Sequence, residues 1–162
     1  MAVVALGSNL GRSRAVLSLA VKRLRKLSAS PLRCSSVWST APVDCPPGSP
    51  DFLNAVVALE PFRDETPESL LKKLQALERE FGRRPKKVLN EPRPLDLDLI
   101  LFGRERRDSA LLRLPHPRAL ARIFVLGPLC EVAPDLVFPG RRLNVRTFLE
   151  RLQSRAGSEP RR

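Results

Sequence analysis

The sequence predicts an α+β sandwich, a mainly antiparallel sheet with helices packed on it. Three observations carry this. Apolar segments of two kinds alternate along the chain, some short and rich in Val and Ala, others spaced at helical period. Their order is strand, helix, strand, strand, helix, strand, which is the ferredoxin-like split βαβ order. No repeat and no linker divides the 162 residues, a length that supports one core. We therefore expect one domain over residues 1–152 and a basic, disordered tail over 153–162.

Ala2–Leu6 is a short apolar run stopped by Gly7-Ser8-Asn9, so it reads as a buried strand ending in a turn. GSNLG also has the look of a glycine-rich phosphate loop, but no P-loop signature is present. Val16, Leu17, Ala20, Val21, Leu24 and Leu27 recur at helical spacing and predict an amphipathic helix over 13–27. Leu32–Ala41 reads as a strand, the proline-rich 44–50 segment as a loop, and Phe52–Leu59 as an antiparallel partner strand. Thr66-Pro67 opens a second helix, with threonine as cap and proline in the first helical position. Leu70, Leu71, Leu74, Leu77 and Phe81 are its stripe and Gly82 its end. Past Gly103, proline turns mix with short helices, and Asn144–Leu152 predicts a last helix.

The stretch RPLDLDLILFG, Arg93–Gly103, is the least ordinary. Period-two alternation makes it a strand, with Leu95, Leu97, Leu99 and Leu101 on one face and Asp96 and Asp98 on the other. Carboxylates two apart on a strand lie about 7 Å apart and repel each other unless something positive joins them. Mg²⁺ accepts oxygen ligands and is often held by one or two carboxylates plus phosphates. A solvated sheet face is the alternative, but aspartate is a poor strand former and Ile100 and Phe102 share that face. Arg93, Arg83 and Arg84 lie close by in sequence, and guanidinium groups bind phosphate oxygens bidentately.

Charge points the same way. There are 29 Lys and Arg against 17 Asp and Glu, a net +12, which suits nucleotides or nucleic acid. Residues 82–93 hold five basic residues and one acid. Cys34, Cys45 and Cys130 form no C-x-x-C pair and read as reduced thiols. No apolar run reaches membrane-spanning length, and no signal peptide is expected. We expect a cytoplasmic monomer with no membrane and no nucleic-acid partner. A basic ferredoxin-like RNA-binding module is the alternative, but the chain lacks interleaved glycines and aromatics and has no tyrosine.

Seven segments, ALGSNLG, STAPV, PDFLNAVVALE, LEREFGR, PRPLDLDLILFG, LPHPR and PLCEVAPDLVFP, stand in order between residues 2 and 152. In these the chain resembles the hydroxymethyl-dihydropterin pyrophosphokinases of folate biosynthesis. The resemblance implies a ferredoxin-like fold, ATP as co-substrate, two Mg²⁺ ions, and transfer of the β,γ-pyrophosphoryl unit to the pterin hydroxymethyl oxygen with release of AMP. It implies that Asp96 and Asp98 hold the metals and that Arg83 and Arg93 act with them on the transferring phosphates. Leu71, Gln75, Glu78, Arg93, Leu99, His116 and Arg122 match ATP-site positions. Gly7, Thr40, Pro42, Val43, Phe52, Asn54 and Phe124 match pterin-site positions, the two phenylalanines stacking on the bicycle. Without the resemblance, His116 reads as a turn histidine and both phenylalanines as core. The chain departs from the family pattern at Ala41, Phe52, Pro85, Asn90, Glu91 and Pro117.

Overall fold

The structure is a computed structural model that describes residues 1–42, 47–83 and 92–157. Val43 and the loop residues Arg84, Pro85, Asn90 and Glu91 lie outside the described residues.

Strand β1 (Ala2–Ser8) is the centre of an antiparallel sheet. It pairs on one side with β4 (Phe52–Leu59) and on the other with β5 (Asp96–Phe102). The predicted strand 32–41 is instead two short pieces, β2 (Arg33–Cys34) and β3 (Trp38–Thr40), both paired to β4. Between them Ser35 bonds Val56 through both its backbone N–H and its hydroxyl, a local pairing that interrupts the ladder. The order β2/β3–β4–β1–β5 is that of the ferredoxin-like sheet. A hairpin of β6 (Arg107–Asp108) and β7 (Arg113–Leu114) follows β5 and has no counterpart in the sequence reading.

Among the described residues, four α-helices cover the sheet. Helix α1 (Ser13–Leu24) and α2 (Pro67–Glu80) lie on one face, where Leu17, Ala20, Leu24, Leu70, Leu74 and Leu77 meet Ala2, Val4 and Leu6. Helix α3 (Ile123–Val132) and α4 (Val145–Gly157) lie on the other, where Val125, Leu126, Leu129 and Val145 meet Val3, Val56 and Ala58. A fully buried leucine contributes about 1.5–3 kcal/mol, so these two layers hold the sheet from both sides. Helix α1 is shorter than predicted, because residues 25–27 tighten into a 3₁₀ turn. Helix α4 is longer, so residues 153–157, assigned from sequence to the tail, are helical.

Two local features set the site. Thr66 Oγ1 accepts the Ser69 N–H at 3.1 Å and Ser69 Oγ accepts the Thr66 N–H at 2.9 Å. This reciprocal cap fixes where α2 starts and hence which residues face β5. The second feature is a bulge in β5. Val3 pairs with Leu101 and Val4 with Leu99, leaving Ile100 as the extra residue. The leucine alternation therefore slips: Leu95, Leu97 and Leu99 enter the α1/α2 core, whereas Ile100 and Leu101 both enter the α3/α4 core. Asp96 and Asp98, before the bulge, keep the α3 face.

Candidate active site

Helices α3 and α4 do not cover the whole of their sheet face. At the end beyond α3 the strand register sets Trp38, Asn54, Gly7 and Asp96 side by side in one row across β3, β4, β1 and β5. Thr40 and Phe52 form the next row. Gly7 is the floor of a notch. A Cβ there would meet Asn54 Oδ1 at 3.4 Å, Phe52 Cδ1 at 3.8 Å and Asp96 Cβ at 3.9 Å. Asn54 Nδ2 donates to Thr40 Oγ1 at 2.7 Å, which turns its carbonyl oxygen toward the notch. Part-buried Phe52 and Phe124 each carry an arginine near the ring, Arg93 at 6.0 Å and Arg122 at 5.3 Å from the centroid.

The carboxylates are met by arginines. Asp96 Oδ1 accepts from Arg83 at 2.7 Å, and Asp96 Oδ2 lies 3.2 Å from Arg93 Nη2. Asp98 Oδ2 lies 3.8 Å from Arg122, the residue that precedes α3. Burial, and then the Asp96 charge, push the Asp98 carboxyl above its usual range, against the pull of His116 and Arg122. Burial also lowers His116, although Asp98 opposes the change. The backbone N–H of His116 bonds Ile100 O at 2.8 Å, which holds the LPHPR segment along β5.

Glu78 ties α2 to this cluster. Its carboxylate accepts the Leu97 N–H at 2.7 Å and also bonds Arg83. Burial pushes it up to about 7; the Leu97 and Arg83 bonds oppose the shift, and the Asp96 and Asp98 charges add to it. Arg83 stays charged: Asp96 and then Glu78 raise it, although burial opposes them. Glu78 is thus the member that gives up charge. The sign follows. The unfolded chain loses this proton near 4.5 and the folded one near 7, so the contribution of Glu78 to stability is full below about 4.5 and is lost as pH rises to about 7. Glu78→Gln removes the effect. Urea unfolding of both proteins from pH 4.5 to 8 is expected to show wild type losing about 3 kcal/mol relative to the variant; a constant difference would refute it.

Leu71, Gln75 and Glu78 share one stripe of α2, beside the core stripe of Leu70, Leu74 and Leu77. Leu99 is different. It is 3% exposed and its side chain packs in the α1/α2 core, so it offers the site nothing beyond backbone. Pro42 is half-buried, two residues past Thr40. The structure thus brings Gly7, Thr40, Phe52, Asn54, Glu78, Arg83, Arg93, Asp96, Asp98, His116, Arg122 and Phe124 to one end of the sheet. The sequence reading missed what holds this end together. Trp38 Nε1 donates to Glu131 at 2.7 Å, Ser36 bonds the same carboxylate, and Gly127 of α3 lies against the indole. Such links span 89 to 95 residues and leave no local periodicity.

The residues fit a divalent cation bound with a polyphosphate. Asp96 and Asp98 share a face, and their mutual repulsion is one that a cation would relieve. Mg²⁺ is often held by one or two carboxylates, with phosphate oxygens and water in its other positions, and among the described residues no group of three or more His, Cys, Asp or Glu converges.

Residues 3–134 match the family model 7,8-dihydro-6-hydroxymethylpterin-pyrophosphokinase. The chain is 41% identical over 142 residues to the 2-amino-4-hydroxy-6-hydroxymethyldihydropteridine pyrophosphokinase of Pseudomonas aeruginosa, covering 86% of this chain and 85% of that one. It is 38% identical over 156 residues to the Synechocystis protein of the same name, covering 96% and 77%. It is also 35% identical over 150 residues to the Folic acid synthesis protein fol1 of Pneumocystis carinii, but spans only 20% of that longer protein. A solved HPPK-DHPS in complex with substrates superposes with a TM-score of 0.74 at 12% identity, over 97% of this chain and 44% of that one. That likeness bears on the fold, and the sequence matches bear on the lineage. The chain belongs to the 7,8-dihydro-6-hydroxymethylpterin pyrophosphokinase family.

Proposed function

We propose that the notch and the arginine–aspartate cluster are the two halves of one active site, which transfers the β,γ-pyrophosphoryl unit of ATP to 6-hydroxymethyl-7,8-dihydropterin. The single observation that carries this is the row Asn54, Gly7, Asp96. It sets a flat-ring notch beside a carboxylate that three arginines approach directly or through its neighbour.

Asp96 and Asp98 would hold two Mg²⁺ ions, which neutralise phosphate charge and orient the triphosphate. Arg83, Arg93 and Arg122, already at the carboxylates, are placed to turn to phosphate oxygens and to stabilise charge as the bond to the β-phosphorus breaks. Leu71, Gln75 and Glu78 on α2, with His116 and the Leu99 backbone on either side of β5, line the nucleotide path. Asn54 Oδ1 accepts an N–H of the pterin edge over the Gly7 floor, Thr40 holding the amide. Phe52 and Phe124 supply stacking faces, and Pro42 closes the same side; Val43 follows it in sequence and stays a pterin-site candidate. The hydroxymethyl oxygen gives its proton to water as it bonds to the β-phosphorus, the bond from that phosphorus to the α–β bridging oxygen breaks, and the electron pair leaves with that oxygen on AMP. Holding both reactants in line is the main work of the protein.

The chain is read as a monomer of the cytoplasm, in keeping with its free thiols at Cys34 and Cys130. Among the described residues no helix is long and apolar enough to cross a membrane. The relatives named above give the RNA-binding reading no support. Separating nucleotides after incubation with ATP, Mg²⁺ and the pterin tests the reaction. AMP that appears only with pterin present is expected. ADP would mean attack at the γ-phosphorus, and no product together with salt-sensitive RNA binding would restore the alternative.

A further inference from the structure

Asn9 stands in GSNLG, immediately after β1, and is 3% exposed. Its three bonds reach two segments far apart in sequence. Its Oδ1 accepts the backbone N–H of Arg93 at 2.9 Å, and its own N–H donates to Arg93 O at 3.3 Å. Its Nδ2 donates to Pro50 O at 3.3 Å. The orientation of the amide is forced. A backbone N–H can only donate, so the oxygen must face Arg93 and the NH₂ is left for the Pro50 carbonyl.

Those two segments carry opposite halves of the site. Arg93 leads into Asp96, and Pro50 leads into Phe52. The Arg93 guanidinium in turn lies beside both Asp96 and the Phe52 ring. We infer that Asn9 is a positioning residue that sets the phosphate-binding arginine and the pterin-stacking strand relative to one another. It touches neither reactant. It works by fixing backbone on both sides through one rigid, buried amide. The turn reading of GSNLG is therefore incomplete: Asn9 is there for its two-ended side chain.

The proposal rests on the pyrophosphokinase reading, and the chemistry of asparagine makes it separable from that reading. In Asn9→Asp the carboxylate still accepts from Arg93 but cannot donate to Pro50, and it faces that carbonyl with like charge. In Asn9→Ala both side-chain bonds are lost. A lost buried hydrogen bond is felt as ~10-fold in affinity. Calorimetry with Mg²⁺ and a non-hydrolysable ATP analogue, and separately with the pterin, gives the readout, with kcat and both KM values alongside. Asn9→Asp is expected to bind nucleotide within ~3-fold of wild type and pterin ~10-fold more weakly. Asn9→Ala is expected to weaken both ~10-fold and to lower kcat. If Asn9→Ala does not fold, the split in Asn9→Asp alone decides. Equal losses for both ligands in Asn9→Asp, tracking its melting temperature, would make Asn9 merely structural, and unchanged binding in Asn9→Ala would also overturn the inference. Absence of AMP from the wild-type protein would strike the pyrophosphokinase reading instead, and is scored separately.

Discussion

Asp98→Asn is expected to lower kcat by at least ~10²-fold while leaving the protein as stable as before or slightly more so. The loss is of the size seen when one preorganised electrostatic group is removed from an active site. The stability follows from the surroundings. Burial and the Asp96 charge hold the Asp98 carboxyl above its usual range, so in the free protein its ionised form is a burden that the amide lifts. Sites that sacrifice stability to function behave this way. Asp96 differs. Arg83 and Arg93 both bond it, so Asp96→Asn should lose comparable activity and also some stability, because two guanidinium groups are left short of charge. Steady-state kinetics and thermal unfolding of the pair measure both effects. Activity of Asp98→Asn within ~5-fold of wild type, at saturating Mg²⁺, would remove it from the metal-binding role.

Gly127→Val is expected to be the most damaging single change away from the chemistry. A Cβ at residue 127 would fall 2.4, 2.6 and 2.9 Å from three atoms of the Trp38 ring. The ring cannot slide aside cheaply, since its N–H is tied to Glu131, one turn further along the same helix. Helix α3 must lift instead. In Gly127→Ala the helix gains about 1 kcal/mol of propensity, but overpacking costs about 1–3 kcal/mol and three contacts below 3 Å put this site at the upper end. The expected balance is a net loss of about 1–2 kcal/mol for alanine and more for valine. At the size of this chain, each kcal/mol lowers Tm by about 2–4 °C. Because Arg122 precedes α3 and Phe124 lies in its first turn, lifting it should also raise the pterin KM. Trp38, the one tryptophan in the sequence, reports the shift by fluorescence. An alanine variant with unchanged emission and wild-type Tm would show that α3 is not seated through this contact.

Much of this architecture was legible in the sequence, for reasons that can be located. The α2 cap could be read because Thr66-Pro67 acts through local bonds, and the structure shows those bonds with Ser69. The aspartate pair could be read because aspartate is anomalous in an apolar strand. The β5 bulge could not. It depends on how Val3 and Val4 pair with a strand nearly a hundred residues away, so alternation alone puts Leu101 on the wrong face. Strand 32–41 failed similarly, because Ser35 satisfies Val56 locally and breaks the ladder. Leu99 matches a nucleotide-site position only through its place in a motif; packing buries its side chain and leaves the backbone for that role. Asn9 was read as a turn residue because nothing in GSNLG shows that its partners are Arg93 and Pro50. The residues proposed for the chemistry are polar in apolar surroundings and so announce themselves. Those that position them are joined only by the fold.

In the proposed reaction the pterin hydroxymethyl oxygen attacks the β-phosphorus of ATP at the Asn54–Gly7–Asp96 row. Pterin carrying ¹⁸O in its hydroxymethyl group, converted with ATP and Mg²⁺ and read by mass spectrometry, tests it most directly. The predicted result is the label retained in the pterin diphosphate, with unlabelled AMP formed in equal amount. Label released to water would mean cleavage of the carbon–oxygen bond, and a labelled monophosphate with ADP would mean attack at the γ-phosphorus; either contradicts it.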